Sequence, residues 1–143
     1  MAQKNRGRGQ SRTCLIIEDN EVDQIKMTRV VERKPHELDA KVASTLRAAR
    51  RVLASGKPGL ILLDNNLPDG LGAEFAQEIA RDPALADIPL IIVSDWPSPF
   101  MWEKAASAGV AYVLTKSEFD GRYVHAALGG KTDRLLKARK FAS

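Results

Sequence analysis

Four short apolar runs recur along the chain: Leu15-Ile16-Ile17, Leu60-Ile61-Leu62-Leu63, Leu90-Ile91-Ile92-Val93 and Tyr112-Val113-Leu114-Thr115. Continuous apolar runs of this length read as strands buried on both faces. Such strands need a layer above and a layer below, which parallel strands joined by helices supply. A weaker fifth run, in which Leu38, Ala40 and Val42 alternate with polar residues, has the period of a strand with one exposed face. This repetition restricts the chain more than any other feature does.

The stretches between the runs carry helical period and helix punctuation. Residues 20–33 place Val22, Ile25, Arg29 and Val30, with Met27 more weakly, along one stripe, with Asp19 or Asn20 as cap and Pro35 as stop. Thr45 caps a second helix with Leu46, Ala49, Val52 and Leu53 inward, ended by Gly56 and Pro58. Leu67-Pro68-Asp69-Gly70 is turn chemistry, and a third helix over 71–81 buries Phe75, Ala76 and Ile79. A fourth starts near Ser98 and ends at Ala108-Gly109. Ser117 reads as the cap of a fifth helix, which carries Phe119, Val124, Ala127 and Leu128. Five β/α units in strict alternation predict an α/β fold, a five-stranded parallel sheet with helices on both faces and right-handed crossovers.

In such sheets chemistry gathers at the C-terminal strand ends. Here those ends carry Glu18-Asp19, Asp64, Ser94 and Lys116. Taken singly, each has an ordinary explanation as a cap, a first-turn acid or a surface lysine. Their placement after four separate strands predicts one site. Glu18, Asp19 and Asp64 would form a cluster too negative to stay ionised without compensation. A hard divalent cation such as Mg2+ supplies that, with Lys116 as a second positive charge and Ser94 as a hydroxyl for a phosphoryl oxygen. A carboxylate nucleophile in this company suits in-line phosphoryl transfer and an aspartyl phosphate.

Charge divides unevenly. Residues 1–12 carry Lys4, Arg6, Arg8 and Arg12 without an acid, and residues 131–143 carry five cations against Asp133. Each end is thus +4, and the total of +4 leaves −4 on residues 13–130. The reading is a disordered basic extension over 1–12, a domain over 13–128 and a basic tail over 129–143. Neither tail interleaves aromatics with its cations, which argues against nucleic-acid binding. No stretch is apolar for the length of a membrane span. Cys14, the only cysteine, excludes an intrachain disulfide and agrees with a cytoplasmic setting. His36 and His125 lack metal-ligand spacing.

Leu15-Ile16-Ile17-Glu18-Asp19-Asn20, Leu62-Leu63-Asp64-Asn65-Asn66-Leu67-Pro68-Asp69-Gly70, Ile92-Val93-Ser94 and Leu114-Thr115-Lys116 resemble the receiver (CheY-like) domain of two-component response regulators. The resemblance covers about residues 12–128. It implies a flavodoxin-like (βα)5 fold with strand order 2-1-3-4-5. It also implies phosphorylation of Asp64 by a histidine kinase or phosphotransfer protein, with Glu18 (through water), Asp19, Asp64 and the Asn66 backbone carbonyl serving Mg2+. Lys116 would hold the Asp64 carboxylate or its phosphoryl group, and Ser94 would move to bond it. The Asn66 side chain would help set the dephosphorylation rate. The response would appear on the face formed by the fourth helix, fifth strand and fifth helix, the α4-β5-α5 face, for an unknown downstream protein. The short stretch after Lys116 suggests a stand-alone signalling protein rather than an enzyme. A homodimer, if formed, would use the fourth helix and the Tyr112 neighbourhood.

Four positions depart from the family pattern. Asp95 stands where a small residue is usual. Val113 replaces a switch aromatic, and its neighbour Tyr112 must face the other side of the sheet. Ser117 stands where many relatives have a proline in a cis bond, which predicts a trans peptide. Trp96-Pro97-Ser98-Pro99-Phe100-Met101-Trp102 leads into the fourth helix as an aromatic segment, read either as a core staple or as a partner surface. Asp95 and Val113 suggest an alternative: a receiver fold acting as a phosphorylation-independent binding module.

Overall fold

The structure is a computed structural model, and it describes residues 11–129. Five strands form one parallel sheet: β1 (Thr13–Ile17), β2 (Asp39–Ala43), β3 (Leu60–Leu63), β4 (Leu90–Ser94) and β5 (Tyr112–Thr115). Their spatial order is β2-β1-β3-β4-β5, the order the family resemblance implied. Every residue of β3 and β4 is buried, whereas β2 at the edge leaves Val42 exposed. A separate two-stranded antiparallel ribbon pairs Asn66–Leu67 with Gly70–Leu71.

Strand alternation divides the core into two layers. Leu15, Ile17, Ile61, Leu63, Ile92 and Val113 face one side, which is covered by α2 (Leu46–Ser55), α3 (Gly72–Ala80) and α4 (Pro99–Ser107). Cys14, Ile16, Leu62, Ile91, Tyr112 and Leu114 face the other, under α1 (Glu21–Glu32) and α5 (Gly121–Leu128). Helix starts follow the expected chemistry at three places. Asn20, Thr45 and Ser98 accept from the backbone N–H groups of Asp23, Ala48 and Met101.

Two local readings are corrected. Val22 and Ile25 do not face the core; they are 60% and 52% exposed, and α1 buries Met27 and Val31 instead. The inward stripe is 23, 27, 30 and 31, a valid helical face that begins with an acid and was therefore overlooked. Nor does Ser117 cap α5: Asp120 does, accepting from Arg122 N–H at 2.9 Å. Thr115 and Glu118 form a reciprocal pair instead. Thr115 N–H donates to Glu118 Oε1 and Glu118 N–H to Thr115 Oγ1, at 2.9 and 3.2 Å. That is a capping box spent on a single turn.

The basic ends expected over 1–12 and 129–143 fall almost wholly outside the described residues. Arg12 falls inside and is tied to the fold. Its carbonyl accepts from Asp39 N–H at 2.8 Å and its guanidinium donates to the Glu37 carbonyl at 3.2 Å.

Candidate functional site

β1 and β3 are neighbours in parallel register, Ile17 opposite Leu63, so the residues that follow them emerge side by side. Asp64 N–H donates to the Ile17 carbonyl at 2.9 Å and locks that alignment. Oxygens of Glu18, Asp19 and Asp64 consequently lie within 4.8 Å of one another. Glu18 is fully buried, Asp64 nearly so, and Asp19 is exposed. Asn20 N–H holds Glu18 Oε2 at 3.0 Å. Three hard oxygen donors on two strand ends, two of them withdrawn from water, fit a hard divalent cation.

Lys116 projects from the end of β5 into this cluster. Its Nζ lies 2.7 Å from Asp23 Oδ2, 3.0 Å from Glu18 Oε1, 3.9 Å from Asp95 Oδ2 and 4.0 Å from Asp64 Oδ1. The shortest contact is with Asp23, a residue the motifs did not single out. Its signal was its place at the head of the inward stripe of α1, four residues before Met27 and seven before Val30.

Burial and the Glu18 charge raise the Asp64 carboxyl to about 7; Lys116 and the Asn66 and Asn65 backbone N–H groups oppose that rise. Burial likewise raises Glu18, against the pull of Asn20 N–H and Lys116. Burial alone would depress the Lys116 ammonium, but hydrogen bonds to Asp23 and Glu18 and the nearby Asp64 charge hold it well above its ordinary value. The site is thus one strong cation beside two acids, Glu18 and Asp64, whose burial opposes their ionisation.

The loop after Asp64 is tied down from two directions. Asn65 Oδ1 accepts from Ala73 N–H at 2.9 Å and its carbonyl from Gly72 N–H at 2.7 Å, so α3 starts directly under Asp64. A Cβ on Gly72 would lie 2.3 Å from the Asp64 carbonyl oxygen, which explains the glycine. Asp69, expected only as a turn residue, reaches to α2 and accepts from Leu46 and Arg47 N–H at 2.8 and 3.0 Å. Asn66 stands exposed in the ribbon, two positions past Asp64.

Ser94 is fully buried at the end of β4, and its Oγ accepts from Trp96 N–H at 3.3 Å. Asp95 is exposed and turned toward Lys116. Val113 faces the α4 side, while Tyr112 packs edge-on against Tyr123 on the opposite side, ring centroids 5.1 Å apart. No aromatic therefore follows Ser94 across the sheet from position 113. The Lys116–Ser117 peptide is trans; among the described residues the one cis bond is Lys34–Pro35.

A doubly wound parallel sheet with acids and a lysine at its C-terminal mouth defines an α/β domain with its site at the strand ends. Residues 14–128 match the family model described as the response regulator receiver domain, and the chain belongs to that family. The transcriptional regulatory protein DpiA of Escherichia coli (strain K12) is 36% identical over 69 residues, which cover 48% of this chain and 30% of DpiA. The chain spans only 10% to 35% of the curated relatives it matches. Among solved structures, the phosphorylated cyanobacterial phytochrome response regulator RcpA superposes with TM-score 0.69 at 23% identity, covering 91% of each chain. The Mn2+-bound response regulator Rcp1 does so with TM-score 0.68 at 24% identity, covering 87% of this chain and 94% of its own. No helix among the described residues is long and apolar enough to cross a membrane.

Proposed function

We propose that this receiver domain accepts a phosphoryl group on Asp64 from the phosphohistidine of a kinase or phosphotransfer protein. The observation that carries the reading is the nearly buried Asp64 carboxylate inside a three-acid cluster, with the Lys116 ammonium at 4.0 Å. An Asp64 oxygen bonds phosphorus in line as the P–N bond breaks, and its electron pair leaves with the donor imidazole. Glu18, Asp19, Asp64 and the Asn66 carbonyl would hold Mg2+, which would supply charge neutralisation during transfer. The metal-bound and phosphorylated states named for Rcp1 and RcpA support this reading by fold likeness.

Lys116 then holds the phosphoryl group and the buried Ser94 hydroxyl donates to it. The response is read as a population shift on the face formed by α4, β5 and α5, offered to a protein partner. Mg2+-dependent labelling with acetyl phosphate tests this. An alkali- and hydroxylamine-labile adduct is expected on the wild type and none on Asp64→Asn.

A second reading, a phosphorylation-independent binding module, is favoured by Val113 at the switch position and Tyr112 held against Tyr123 on the far side. No adduct on the wild type would select it.

A further inference from the structure

Four carboxylates surround the Lys116 ammonium, and their distances are unequal. Asp23 at 2.7 Å and Glu18 at 3.0 Å lie within hydrogen-bonding range, whereas Asp64 at 4.0 Å and Asp95 at 3.9 Å do not. The Asp23 bond joins α1 to the turn after β5 across 93 residues of sequence, and neither side chain exceeds 21% exposure. A charge-assisted bond of that length and burial is stronger than a surface ion pair. Asp95, 60% exposed, is a screened second neighbour. All three side chains line one cavity of about 670 Å³.

We propose that Asp23 is a positioning residue for phosphoryl uptake at Asp64: it clasps the Lys116 ammonium and keeps it off the acceptor until a phosphoryl group competes for it. The inference rests on Asp64 being the phosphoacceptor. With acetyl phosphate, an Asp64 oxygen bonds phosphorus while the P–O bond to the acetyl group breaks and acetate leaves. The developing phosphoryl charge needs the ammonium, which must loosen its Asp23 bond to reach it. Asp23 therefore sets part of the barrier without touching the reacting atoms. Its location on the inward stripe of α1, above Met27, fixes the clasp to the helix rather than to a loop.

The test is a double-mutant cycle read by Mg2+-dependent labelling with acetyl phosphate. Asp23→Asn is expected to raise the labelling rate roughly fivefold, and Asp23→Glu to stay near the wild type. In a Lys116→Met background, Asp23→Asn is expected to change nothing. A through-space effect of the lost negative charge would persist there, and persistence would overturn the clasp. In the metal-free protein, the Tm losses of Asp23→Asn and Lys116→Met are expected to be less than additive; strict additivity would overturn it too. Label on the wild type with an unchanged Asp23→Asn removes this inference alone. No label on the wild type, whether or not Asp23→Asn takes it, removes the proposed role of Asp64 and the clasp that rests on it.

Discussion

The mouth formed by β1, β3 and β5 and the segment 94–102 after β4 lie on the same sheet edge but are held differently. At the mouth the buried charges are answered: Glu18 by Asn20 N–H and Lys116, Lys116 by Asp23, and Asp64 by Asn65 and Asn66 N–H. Along 94–102, Trp96 and Phe100 stand 82% and 74% exposed, and the Ser94 and Ser98 hydroxyls accept from the backbone N–H groups of Trp96 and Met101. Met101 and Trp102 pin the far end to the α3 side of the core. The difference is one of determination. Buried charge tolerates few arrangements, whereas exposed aromatics on a serine-capped turn constrain little.

That contrast can be broken from the mouth first. Gly72→Ala drives a methyl into the Asp64 carbonyl and the Asn65 Cα, both backbone. A loss of about 3 kcal/mol in urea unfolding is expected, and labelling of Asp64 should fall with it. An unchanged midpoint would show that α3 can back away and that the acceptor loop is loosely held.

The next largest effect is on pH. The folded Asp64 carboxyl titrates near 7, above its ordinary value of 3.8. Between those values the folded state keeps a proton that the unfolded chain has lost. Its stabilising contribution is complete below about 3.8 and lost as pH rises through about 7. Glu18, also raised, adds in the same direction. The Asp64 contribution in metal-free protein should therefore fall by roughly 2–4 kcal/mol between pH 4 and pH 7, against a gain from His36 and Glu78, whose folded values are lowered. Asp64→Asn should flatten much of that slope, and an equal slope in that variant would relocate the charge strain elsewhere.

The smallest effects belong to the aromatic segment. Trp102→Ala, which removes a side chain packed on the core, should cost about 1–3 kcal/mol. Trp96→Ala should stay within about 0.5 kcal/mol of the wild type. Reversal of that order by thermal melts would mean that the segment is held by Trp96 and that Phe100 and Trp96 are part of a fold, not a free surface.

Much of this was legible in the residues. The apolar runs marked the sheet because a strand buried on both faces has no polar alternation to confuse it. Caps at Asn20, Thr45 and Ser98 were legible because a short polar side chain before an apolar stripe has few other uses. Reading failed where local chemistry permits two outcomes. Ser117 looks like a cap, but Thr115 and Glu118 close a turn first, so α5 waits for Asp120. Val22 and Ile25 look like a core stripe, yet the adjacent stripe headed by Asp23 is the one that packs. The aromatic segment was divided by the fold: Trp102 reaches the core and Phe100 does not.

By itself the sequence determined the alternating α/β architecture and the placement of Glu18, Asp19, Asp64, Ser94 and Lys116 at strand ends, because periodicity and turn chemistry act over a few residues. Only the tertiary structure decided which acid the lysine takes. Asp23 and Lys116 are 93 positions apart, and no local pattern relates them. They meet because α1 lays its inward stripe across β1 toward β5, and a desolvated ammonium binds the nearest carboxylate that helix geometry brings to it.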